Sequence, residues 1–171
     1  MKPFARHICL IAGVICACGF AVSAQVGPVH PGIKAFTSYC FKAGQTAAVA
    51  RANMERNAGA PLPFELTFWD KSLEPAPGTP AHSERRCEVA FAGDQAGAAV
   101  DAVQAKMAMP PVFGTPLPLP APFAATPGTA YIEARELLRR RVAVVHIGVR
   151  GDTAETFLRV DRLPAGEGFG S

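Results

Sequence analysis

The chain is poor in the residues from which reactive sites are built. Among its 171 residues it has one tryptophan, two tyrosines and four histidines. It contains no His-x-x-x-His and no Cys-x-x-Cys, the close spacings that let neighbouring side chains share one metal ion. No Gly-x-Ser-x-Gly turn is present to expose a serine nucleophile. Gly93 to Gly97 lacks the glycine spacing and the lysine of a phosphate-cradling loop. No cofactor is therefore expected. Beyond the first residues no apolar run approaches the roughly 20 residues of a membrane-spanning helix, so no transmembrane span is expected in the mature chain.

The beginning of the chain carries an address rather than a fold. Lys2 and Arg6 precede an apolar stretch from Ile8 to Phe20, and Val22 and Ala24 form a small-x-small cleavage site. Residues 1–24 are predicted to be a secretory signal peptide, cut after Ala24. The alternative is a lipoprotein cut before Cys18. Cleavage after Ala24 lowers the basic count from 17 to 15 against 14 acidic residues, a net charge of +1. Such a balance offers no electrostatic footprint for nucleic acid. The expected location is periplasmic or secreted.

Of five cysteines, Cys9, Cys16 and Cys18 lie in the signal, leaving Cys40 and Cys87. A widely separated pair in an exported chain predicts a disulfide rather than a redox couple, whose two thiols usually sit close in sequence.

Periodicity organises the rest. Residues 25–32 contain two prolines and two glycines and read as a flexible arm. Phe36, Cys40, Ala43, Ala47, Ala50, Met54 and Ala58 recur at helical spacing, with Gly44 as a candidate break and Thr46 near a second start. Phe64, Leu66 and Phe68 alternate, as do Cys87, Val89 and Phe91, predicting a hairpin with a long loop. Asp94 caps a second helix with Ala96, Ala99, Val100, Val103 and Met107 on its apolar side. Residues 110–128 hold seven prolines with Phe113, Leu117, Leu119 and Phe123 among them. They read as an extended crossover laid over the domain surface, in preference to a polyproline recognition segment. Three strands follow. Val142–Val149 is apolar on both faces and therefore expected at the centre of the sheet.

The expectation is a single α+β domain over residues 33–164, with a disordered tail at 165–171. Its antiparallel sheet has about five strands with two helices on one face, in the order α-β-β-α-β-β-β. No catalytic or metal-binding residue is assigned. His30 and His82 read as solvated. His146, Trp69 and the cluster Arg139, Arg140 and Arg141 are the candidate binding residues. Trp69 is opposite in parity to Phe68, and burial beneath the Pro-rich crossover is the simplest account of it. Glu65, Glu88, Glu133 and Glu155 fall on polar strand faces by alternation alone. Arg150-Gly151-Asp152 has the composition of a tight turn.

The leading functional expectation is a non-enzymatic binding or accessory protein, acting on another envelope protein or a small ligand. A hydrolase or transferase built around His146 and a strand carboxylate is the alternative. A third is a small-molecule carrier, holding its ligand between the sheet and the Ala-rich helices; a large apolar cavity would support it.

Overall fold

The computed structural model describes residues 28–73, 83–109, 113–121 and 123–166. The predicted signal peptide, residues 25–27 of the predicted arm, His82 and the predicted tail beyond Gly166 lie outside the described residues. The chain is an α+β fold: one six-stranded antiparallel sheet carrying three α-helices. In chain order the elements are α1 (Pro31–Ala35), a single π-helical turn (Phe36–Cys40), α2 (Ala47–Ala58), β1 (Glu65–Asp70), β2 (Arg85–Ala92), α3 (Ala96–Met107), β3 (Phe113–Leu117), β4 (Thr129–Leu137), a 3₁₀ turn (Leu138–Arg140), β5 (Val142–Arg150) and β6 (Glu155–Leu163). The sheet order is β1-β2-β6-β5-β4-β3.

The sixth strand and the third helix depart from expectation, each for a local reason. Proline and glycine in residues 110–128 argue against a strand, yet β3 is an edge strand. There Pro116 needs no partner on its outer side, and the pairing with β4 is interrupted by an irregularity between Phe113 and Pro116. The first predicted helix is two helices. Gly44 adopts φ +68°, and Thr46 restarts the helix by accepting the Val49 backbone N–H. The first of them begins at Pro31, inside the segment read as a flexible arm. Proline suits a first helical position because its missing N–H would be unpaired there. His30 departs from the solvated reading too. Its ring stacks on Phe91 at 3.9 Å, and its Nδ1 accepts the Gly32 N–H. Gly32 permits this docking, since a Cβ there would lie 2.9 Å from Phe91 and 3.0 Å from Val89.

Strand alternation sorts side chains to two faces. Phe64, Leu66, Phe68, Cys87, Val89, Phe91, Val145, Ile147, Leu158 and Val160 point to the helices. They meet Ile33 and Phe36 from the first helical segment, Met54 from α2, and Ala99, Val103 and Met107 from α3. Cys40, at the end of the π turn, bonds to Cys87, with their Cα atoms 5.4 Å apart. The opposite face holds a smaller cluster of Ala134, Val142, Val144 and Leu163. Leu117 and Phe123 from the Pro-rich crossover pack against it together with Ile132. At the far end of the sheet Gly128 takes φ +84° and approaches β5 so closely that a Cβ would lie 2.1 Å from the Val149 carbonyl.

Candidate functional site

Two polar regions stand on opposite faces of the sheet. The first, on the face away from the helices, is centred on Asp161, 1% exposed. The β2–β6 register sets Arg86 beside it, and Arg86 donates from Nε and Nη2 to the two carboxylate oxygens at 2.8 and 3.0 Å. Ser83 donates to the same carboxylate at 3.2 Å. Arg159 lies 3.8 Å from Asp161 and 3.6 Å from Glu88, while Arg150 bridges Glu88 and Glu155 at 2.7 and 2.6 Å. Acids and bases alternate here across three strands, so the network neutralises itself. Arg150, though exposed, is tied to Glu88 and Glu155 by these pairs, and Arg150-Gly151-Asp152 is the end of a strand and its turn.

His146 belongs to this network and is 5% exposed. Arg159 Nη2 lies 2.8 Å from its Nδ1. A guanidinium can only donate, so Nδ1 is the acceptor and Nε2 carries the proton, which it donates to Thr129 Oγ1 at 2.8 Å. Burial, then the Arg159 charge, hold His146 below the ordinary value of 6.5, against smaller opposing effects of Asp161 and Glu88. Both ring nitrogens are engaged and the lone pair is already used, which leaves no free base. His30 is also held low, by burial.

Because the unfolded chain then takes up protons first as pH falls, each histidine contributes stability that is present above pH 6.5. That stability is lost as pH drops through the folded-state value. Denaturant midpoints recorded from about pH 7.5 down to about pH 5 should therefore decline. The double variant His30→Gln, His146→Gln should decline less steeply. An unchanged slope in that variant would remove the histidines from the explanation.

The second region is a cavity of about 560 Å³ on the helix-bearing face, against the π turn and the ends of β4, β5 and β6. Its walls are mainly apolar: Phe41, Phe113, Leu137, Val160 and Cys40 of the disulfide. Phe41 and Phe113 meet edge to face at 5.0 Å, so the edge strand β3 supplies one wall. Six cations also line it, Lys42, Arg85, Lys106, Arg139, Arg141 and Arg162, and among the described residues no carboxylate does.

Strand register explains the crowding. One cross-strand row of this face reads Asp70, Arg85, Arg162, Ala143 and Arg135. Arg85 and Arg162 are thus direct neighbours, a like-charge pairing that opposes folding. Arg85 is 2% exposed. Its Nε lies 3.8 Å from Asp70, beyond hydrogen-bond reach, and its guanidinium sits 4.8 Å from the Phe68 ring. Among the described residues none of its three side-chain nitrogens has a hydrogen-bond partner. Burial and then Arg162 push its pKa down to about 10, with Asp70 opposing. Arg162 is lowered by burial and by Arg141.

The residues singled out from sequence separate in space. Arg139 and Arg141 line the cavity, and Arg139 takes φ +64° in the tight turn that presents it. Arg140 is exposed on the same turn. Arg141 lies 3.8 Å from Glu84. His146 faces the other side of the sheet. Trp69 is half-buried on edge strand β1 opposite Arg86, at the edge remote from β3, and the described part of the crossover packs elsewhere. Of the strand carboxylates, Glu133 lies on the helix-bearing face, where Tyr131 donates to it at 2.6 Å. Burial and this bond hold the Tyr131 hydroxyl well above its usual range. Arg85, Arg162, Lys42 and Lys106 carry no local signal that would single them out; only register and packing bring them together. Among the described residues no group of three or more His, Cys, Asp or Glu is placed to hold a metal ion.

Fold and site together describe an α+β protein with a lined cavity over its disulfide. Comparison with protein-family models, curated proteins and solved structures finds no match, so the geometry alone carries the functional reading.

Proposed function

We propose that this chain is an exported, non-enzymatic small-molecule-binding protein whose ligand occupies the cavity between the sheet and the first helical segment. The observation that carries the reading is the cavity itself. About 560 Å³ walled by aromatic and aliphatic side chains, with six cationic side chains at the lining, is the size of a drug-sized ligand site. The carrier reading fits better than a hydrolase or transferase, because His146 is hydrogen-bonded at both nitrogens and lies on the opposite face. Export is supported by the covalent pairing of Cys40 with Cys87, which persists in oxidising compartments. Among the described residues no helix is long and apolar enough to cross a membrane.

Titration calorimetry of the oxidised protein with octanoate, decanoate and dodecanoate tests the cavity. Each added methylene that enters an apolar wall contributes about 0.8 kcal/mol, so affinity should rise up to about fourfold per methylene. Ser38 lines the cavity from the π turn. Ser38→Trp should fill the space and weaken dodecanoate about tenfold or more while the melting curve stays in place. Affinity independent of chain length, or untouched by Ser38→Trp, would defeat the reading.

A further inference from the structure

We infer that the ligand is an anionic amphiphile, held by its head group on Arg85 and by its apolar body against Phe41, Phe113 and Leu137. This rests on the cavity being a ligand site and adds the chemistry of what enters it.

The inference begins with the cost of Arg85 as it stands. A guanidinium that is 2% exposed has lost its water, yet among the described residues none of its three nitrogens has a hydrogen-bond partner. Unpaired buried charge is among the more expensive features a fold can carry. The like charge of Arg162 directly across the β2–β6 ladder adds to the cost, and Asp70 at 3.8 Å relieves only part of it. Ser72 takes the other carboxylate oxygen of Asp70, its backbone N–H donating to Oδ1 at 3.0 Å together with its hydroxyl, so Asp70 faces Arg85 through Oδ2 alone and from beyond hydrogen-bond reach. A packed apolar side chain at position 85 would be cheaper for folding. Violations of this kind concentrate where function demands them.

The missing partner must be an acceptor that carries negative charge. A planar guanidinium presents paired N–H groups that match the oxygens of a carboxylate or a phosphate, and such charge-assisted bonds are the strong ones. The surroundings select the same sign. Lys42, Lys106, Arg139, Arg141 and Arg162 line the same space, and among the described residues no carboxylate does. The apolar walls exclude a small free anion as the whole ligand, since most of the lining would then stay uncovered. An acidic head on a hydrocarbon or aromatic body covers both parts.

The experiment compares head groups on one tail. Oxidised full-length mature protein is titrated by calorimetry with dodecanoate, dodecyl phosphate, dodecan-1-ol and dodecyltrimethylammonium, all below their micelle concentrations, against wild type, Arg85→Met and Arg85→Lys. Wild type should bind at least one of the two anions about tenfold or more tightly than the alcohol, and the cation most weakly. Which anion binds better distinguishes a carboxylate from a phosphate head. Arg85→Met should bring anion and alcohol to similar affinity, with Arg85→Lys in between, because lysine keeps the charge and loses the fork. Melting curves of both variants establish that they fold; should Arg85→Met fail to, Arg85→Lys and Arg162→Met carry the comparison. Equal binding of all four heads overturns the anionic assignment and leaves the cavity as a ligand site. Anion preference that survives Arg85→Met overturns the anchor. No binding by any of the four overturns the cavity reading as well.

Discussion

Replacing Cys40 and Cys87 together by alanine should lower the free energy of unfolding by about 4 kcal/mol. The bond joins residues 47 apart, from the end of the π turn to the second strand of the sheet. In the chain-entropy picture an open loop of that length gives the unfolded chain many conformations that the covalent link removes. Both sulfurs are buried in the main core, so their loss also removes packing. The melting temperature should fall by on the order of 10 °C. Guanidinium unfolding of wild type and variant without reductant measures this, and reduced wild type should resemble the variant. A loss below about 1 kcal/mol would mean that the unfolded chain is already restricted without the bond. The disulfide also floors the proposed ligand cavity, so the variant should bind dodecanoate more weakly even where it is fully folded.

The second large effect is expected at Asp161. Removing this carboxylate leaves Arg86 without its two-pronged partner, Ser83 without its acceptor and Arg159 with one acid fewer. Breaking a buried pair from one side strands the other charge, and Asp161→Ala should cost about 3–5 kcal/mol. The partners respond differently when removed together. Asp161→Leu with Arg86→Met deletes both charges at once, and this double variant should recover much of the loss. Chemical denaturation of Asp161→Leu, Arg86→Met and the double variant forms the cycle. Simple additivity would show that the network contributes nothing as a unit. This face is therefore assigned to stability: every charge in it has an opposite partner in the folded chain. Arg85 stands in contrast on the other face: its one acid, Asp70, is 3.8 Å away, and among the described residues none of its three side-chain nitrogens has a hydrogen-bond partner.

Much of the architecture was legible before folding was considered. The alternation of Phe64, Leu66 and Phe68 and of Cys87, Val89 and Phe91 assigned the faces of β1 and β2. Apolar residues on both sides of Val142–Val149 placed β5 inside the sheet, where it lies between β4 and β6. Thr46 marked the start of α2. Cys40 and Cys87 fell on inward faces, and they bond. What local pattern missed was decided by position. Pro116 disqualifies a central strand but not an edge. His30 looked solvated because proline and glycine surround it, yet Gly32 gives its ring room to stack on Phe91.

The candidate site was far less legible. Arg139, Arg140 and Arg141 were visible as a cluster because they are adjacent in the chain. The more informative charge, Arg85, sits in an ordinary polar–apolar alternation beside Arg86, and one of the two had to face inward. Which one depends on strand parity, and parity puts Arg85 on the face of Cys87. Its juxtaposition with Arg162, with Lys42 beyond the π turn and with Lys106 on α3 depends on the pairing of β2 with β6 and on where the helices dock. The sequence by itself determined the periodic features: which residues face the core, where helices start and stop, and which cysteines could meet. These follow from backbone geometry repeating every two or every 3.6 residues. Only the tertiary structure decided which charges would share one apolar cavity, because cross-strand register and helix placement are set by packing between distant segments, and no local repeat records them.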